Sequence, residues 1–92
     1  MPNIALTPSL VRDLACPAGR GKQDWHDIQC KGLMLEVRSS GGKTWYLRYR
    51  NALRKQRQLR IGDVRDLSLS LARRQADQLR AQVALGQDPA DI

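Results

Sequence analysis

Between Gly32 and Ile61 the chain keeps to a period of two. Leu33, Leu35 and Val37 alternate with Met34, Glu36 and Arg38. Trp45, Leu47 and Tyr49 alternate with Tyr46, Arg48 and Arg50, and Arg57, Leu59 and Ile61 alternate with Gln56, Gln58 and Arg60. Successive side chains of a strand point to opposite sides, so the pattern predicts half-buried strands, each with one apolar and one polar face. Ser39-Ser40-Gly41-Gly42 supplies turn residues for a hairpin, and a second turn falls near Asn51–Leu53. Antiparallel strands are expected at Leu33–Arg38, Thr44–Arg50 and Lys55–Ile61, and their apolar face requires a cover.

The cover is C-terminal. Leu69, Ala72, Ala76, Leu79 and Val83 recur at helical spacing, while Arg73, Arg74, Asp77, Arg80 and Gln82 point away from that stripe and are expected to be solvated. Ser68 is the expected N-cap, Gly86 the left-handed C-cap residue, and Pro89 forbids continuation. Upstream, Thr7-Pro8-Ser9 reads as a helix start, with Leu10, Val11 and Leu14 on one side and Pro17 and Gly19 as stop signals. Ala18–Lys22 is a short linker, and Gln23–Asp27 has room for only a brief edge strand around Trp25. The expected class is α+β: a three-stranded antiparallel sheet with a short extra edge strand, packed on one C-terminal helix and preceded by a short helix. The helices fall at 7–15 and 69–85, the sheet within 23–61, and 86–92 reads as the start of an exposed linker.

Charge divides the chain unevenly. Of 16 Lys+Arg, seven lie in Lys43–Gly62 with no acidic residue among them, and the remaining nine balance the 9 Asp+Glu, so the whole +7 sits in one segment. A single-sign cluster on an otherwise balanced domain is the footprint of a polyanion binder, whereas solubilising charges are scattered. On the strand assignments above, Arg48, Arg50 and Arg60 share the uncovered face with Tyr46, Gln56 and Gln58. Three guanidinium groups on one small face repel one another unless an anion is present, so DNA contact is expected of them. Gln56 and Gln58 carry the amide geometry for base readout, and Tyr46 can touch sugar-phosphate or cover an Arg stem. Lys43, Arg54 and Lys55 complete the basic set. Arg57 falls on the core side but has the reach to snorkel out to a phosphate, and Trp45 and Tyr49 read as packing residues.

Ninety-two residues make one small domain with a single core and little room for an elaborate cleft. MPNIALTPSL lacks the charged and apolar regions of a leader, and no apolar window approaches a membrane span. A cytoplasmic protein without membrane contact is expected. Cys16 and Cys30, with His26 between them, form neither a CxxC pair nor a disulfide framework. No cofactor or metal is therefore expected. His26 has no triad spacing around it and reads as a surface or half-buried strand residue.

The succession LTPSLVRDL, DIQCKGLMLEVRSSGGKTWYLRYR, a basic strand ending LRIG, and LSLSLARRQADQLRAQVALGQDP resembles the N-terminal arm-binding domain of prophage and genomic-island integrases of the tyrosine recombinase superfamily. The resemblance runs from Leu6 to Pro89. It rests on Gly32-Leu33, Arg48-Tyr49-Arg50, Ile61-Gly62, the Ser-Leu…Ala-Arg helix start and the Gly-x-Asp-Pro ending, each weak alone and strong in this order. It implies double-stranded DNA binding at arm-type sites flanking a crossover site, by a sheet inserted in the major groove. It further implies core-binding and catalytic domains downstream in the same integrase, and oligomers only in that full-length protein. A major groove about 12 Å wide accepts such a sheet.

Two other classes fit parts of the pattern. A helix, three strands and a helix in series also describes the double-stranded RNA-binding module, in which Arg73 and Arg74 would carry the contact. An open sheet face and a free edge also suit protein docking. An enzyme is disfavoured, because the chain lacks paired carboxylates, a phosphate-cradling glycine loop and an Arg-x-x-His element, and because Tyr46 and Tyr49 have no such partners.

Overall fold

The computed structural model describes residues 3–91. Strands β1 (Asn3–Ile4), β2 (Lys22–Asp27), β3 (Leu33–Arg38), β4 (Lys43–Arg50) and β5 (Gln56–Asp63) form one sheet in the order β1-β2-β3-β4-β5. Helix α1 (Pro8–Asp13) lies between the first two strands, and α2 (Leu69–Ala84) follows the last. A 3-10 turn at Pro89–Asp91 ends the described chain. The class is α+β with one main C-terminal helix, as the periodicities require.

The sheet is larger and more mixed than three antiparallel strands. β2 is a full six-residue strand paired along β3 from Lys22↔Arg38 to His26↔Met34, and β1 adds to it in parallel through Asn3↔His26 and Ile4↔Asp27. The strand expected at Gln23–Asp27 is thus present and begins one residue earlier, but β1 rather than β2 is the edge of the sheet. β1 is two residues long and therefore has no period to read.

Trp45, Leu47 and Leu35 are wholly buried under α2, which contributes Leu69, Ala72 and Ala76 to the same cluster. The alanines allow the helix to approach the sheet closely, and Trp45 fills the space beside them while its Nε1–H donates to the Leu67 carbonyl at 2.9 Å. A bulge makes this arrangement possible: Trp45 faces Gly62 and Tyr46 faces Arg60, so Ile61 is an extra residue on β5. A Cβ at position 62 would fall 2.8 Å from Leu67 Cδ1.

The caps follow the sequence. Thr7 Oγ1 accepts from Leu10 N–H and Ser68 Oγ from Leu71 N–H, each at the start of its helix. At the other end of α2, Gly86 has φ +92°, and the Gly86 and Gln87 N–H groups donate to the carbonyls of Val83 and Gln82.

Residues 87–91 do not run free as an exposed linker. Asp88 accepts from Tyr49 Oη, from Asn51 Nδ2 at 2.9 Å and from Arg57 Nη1 at 3.3 Å, and Pro89 is buried. A carboxylate that satisfies three donors from the second hairpin ties this segment to the sheet, which a count of turn-forming residues cannot reveal.

α2 is likewise not solvated all along its polar side. Arg73 reaches across to Asp27, donating from Nε at 2.7 Å and Nη2 at 3.2 Å, and its Nη2 also donates to the Leu6 carbonyl at 2.9 Å. Asp27 is buried at the end of β2, and a buried carboxylate needs a cation. Asp77 lies beside Arg80 at 3.7 Å and accepts from the Cys30 thiol.

Candidate nucleic-acid interface

The face of the sheet away from α2 is built by register. One row crosses His26, Met34, Tyr46 and Arg60; the next holds Asp24, Glu36, Thr44 and Asp63. On the other side of the first row lie Arg48 opposite Gln58 and Arg50 opposite Gln56.

These rows divide the face electrically. Around Asp24, Glu36 and Asp63 the cations are engaged: Glu36 takes Lys22 at 3.4 Å and Arg38 at 3.1 Å, Arg38 also donates to Thr44 Oγ1 at 2.8 Å, and Asp63 holds Arg65. The Arg65 backbone N–H, with its guanidinium, holds the Asp63 carboxyl below the usual range. From Tyr46 to the second hairpin there is no carboxylate on this face, and among the described residues Arg48, Arg50 and Arg60 have no ion-pair partner. Even β3, expected to be half-buried, is covered on both sides: Met34 is 0% and Glu36 8% exposed. Met34 is paired in the register with His26 on one side and Tyr46 on the other.

The second hairpin extends the cationic strip. Asn51 Oδ1 accepts from Leu53 N–H at 2.9 Å and Lys55 N–H at 3.0 Å, and Arg54 takes φ +61°. An Asn side chain here does the work of a glycine-rich turn by bonding its own backbone. Arg54 and Lys55 stand exposed at the tip.

Six of the sequence-derived candidates, Tyr46, Arg48, Arg50, Gln56, Gln58 and Arg60, thus share one face, with Arg54 and Lys55 at its end. Lys43 and Arg57 do not join them. Strand alternation puts both on the α2 side, where Lys43 Nζ donates to the carbonyls of Val11 at 2.7 Å and Arg12 at 2.6 Å and so closes the C-terminal end of α1. Arg57 is held by Asp88 and, at 2.6 Å, by Asp91, so it does not snorkel outward.

Among the described residues, three polar atoms on the open face are buried without a hydrogen-bond partner: Asp24 Oδ1, His26 Nε2 and Arg48 Nε. Burial, with the Arg48 charge beside it, lowers the His26 pKa from its ordinary value, leaving the imidazole neutral at pH 7. The share of β2 in this face was not legible in a segment with one apolar marker. On the other side of the sheet, burial and then Asp77 push the Cys30 thiol up to about 11, so it stays protonated and packs as a small apolar group.

A strip of guanidinium and amide donors without a neighbouring carboxylate among the described residues thus lies on the exposed face of a sheet covered from behind by one helix. The family model of the arm DNA-binding domain matches residues 6–92, and the chain belongs to that family, which is found in phage integrases. DNA is accordingly its partner, and domains of this family are non-catalytic DNA-binding modules. No curated protein matches the chain. Among the described residues no helix is long and apolar enough to cross a membrane.

Proposed function

We propose that this domain binds double-stranded DNA sequence-specifically at arm-type sites flanking an attachment site, as the N-terminal part of a phage-type integrase in the cytoplasm. Core-binding and catalytic domains downstream would cut the DNA, and oligomers would form only in the full-length protein. The electrical division of the open face carries the reading. Its Glu36 half is neutralised internally, whereas the half bearing Arg48, Arg50 and Arg60 has no internal counterion among the described residues.

In this reading the β4–β5 half enters the major groove. Arg48 and Gln58 sit side by side across the strands, as do Arg50 and Gln56. Each pair offers one group suited to guanine O6/N7 and one suited to adenine N6/N7. Arg54 and Lys55 at the hairpin tip then lie over phosphates. Arg60 and Tyr46 meet the groove wall, Tyr46 lending its ring to the Arg stem or the sugar.

The test is binding to attachment-site duplexes with their flanking repeats intact or scrambled, measured across a salt series. Five strip cations (Arg48, Arg50, Arg54, Lys55 and Arg60), each displacing about 0.9 counterion, give a log–log slope of about −4.5. Arg48→Ala or Gln58→Ala should narrow the gap between intact and scrambled sites by about 1–3 kcal/mol. An affinity insensitive to salt, or double-stranded RNA competing better than the repeats, would overturn the proposal.

A further inference from the structure

Resting on that reading, we infer a second, backbone-binding subsite that wraps round the end of the sheet and adds Lys31 and Arg80 to the DNA contact. β4 outruns β3: the ladder begins with Leu33↔Leu47, and Arg48 N–H donates to the Gly32 carbonyl at 2.8 Å, so no β3 residue flanks Tyr49 and Arg50. The gap opens a cleft of about 480 Å³ lined by Lys31, Arg48, Arg50 and Gln56 on one side and by Arg80 and Val83 of α2 on the other. That volume lies in the range of ligand sites and admits a phosphodiester with its sugars.

Four cations from three separate segments converge there, and the lining holds no carboxylate. The nearest acid to the set is Asp77, 3.7 Å from Arg80, a long contact on a half-exposed side chain. Lys31 and Arg50 have no ion-pair partner among the described residues. Arg48 lines the cleft and has no ion-pair partner among the described residues either. Arg48 and Arg50 belong to both the open face and the cleft, so a DNA strand leaving the groove at the hairpin end meets the cleft next. A phosphate there would be held by charge and carry no sequence information.

The experiment is the salt dependence of attachment-site duplex binding for the wild type, Lys31→Gln, Lys31→Gln with Arg80→Gln, and Arg74→Gln as an exposed helix charge outside the cleft. The double variant should bind with a slope shallower by about 1.8, Lys31→Gln alone by about 0.9, and Arg74→Gln unchanged. The double variant's affinity should fall equally for intact and scrambled repeats. Urea melts establish that each variant is folded, and Lys31, on an exposed turn, keeps the test open should Arg80→Gln lose stability. Wild-type slopes in both Lys31 variants, or a selective loss on intact repeats, would refute the cleft while leaving the sheet face standing. A wild type indifferent to duplex DNA would refute both.

Discussion

Replacing Arg73 by Ala should destabilise the domain severely, although the residue lies on the polar side of a surface helix. Its partner Asp27 has a side chain 0% exposed, against 27% for Arg73. Without the guanidinium, that carboxylate keeps only two long backbone contacts, from Leu6 N–H at 3.3 Å and Gln29 N–H at 3.2 Å, and the Leu6 carbonyl loses its donor. Removing one partner of a buried pair costs about 3–5 kcal/mol. Water can reach the vacated space because Arg73 is partly exposed, which places the loss at the lower end, about 3 kcal/mol. A domain of this length holds roughly 5–14 kcal/mol in total at about 0.05–0.15 per residue, so the loss is a large share. Urea unfolding at neutral pH should show a lower midpoint for Arg73→Ala with an unchanged m-value. Arg73→Met combined with Asp27→Asn should cost less than the two single changes together, since no unpaired charge remains. Arg73→Ala within about 1 kcal/mol of the wild type would refute this account of the pair. It follows that lost DNA binding in an Arg73 variant would report unfolding, and Arg74 is the proper helix control.

Other outcomes follow from particular contacts. Gly32→Ala should cost about 2 kcal/mol or more, since φ is +87° and the new Cβ would stand 2.6 Å from the Arg48 carbonyl; a melt unchanged from the wild type would contradict this. Tyr49, then Asn51, hold the Asp88 carboxyl below its ordinary value, so its contribution to stability is complete above the unfolded carboxylate range and is lost as pH falls through the depressed value. Asp88→Asn should therefore lower the midpoint at neutral pH and flatten the acid limb of a pH–stability profile, and an unaltered acid limb would count against that role. Incubated with a nicked suicide duplex, the domain should leave no denaturation-resistant adduct; one abolished by Tyr46→Phe or Tyr49→Phe would reveal a nucleophile.

Strong periodicities and caps were legible in the sequence. The alternation in β3, β4 and β5 gave strand identity and the facing of Arg48, Arg50, Gln56, Gln58 and Arg60, because a period of two fixes sides once one side is known to be buried. Thr7, Ser68 and Gly86 marked helix ends, because orphaned backbone groups at a helix terminus have few local solutions. Tertiary structure alone decided which charges remain available. Lys43, Arg57 and Arg73 look like any other cation in the sequence, yet each is committed to an acceptor 31 or more residues away. Arg48, Arg50 and Arg60, likewise cations, have no ion-pair partner among the described residues. The parallel addition of β1 and the docking of Asp88 belong to the same category. Local pattern measures which side a residue faces, whereas the partner of a long flexible side chain depends on what other segments bring within about 4 Å of its tip.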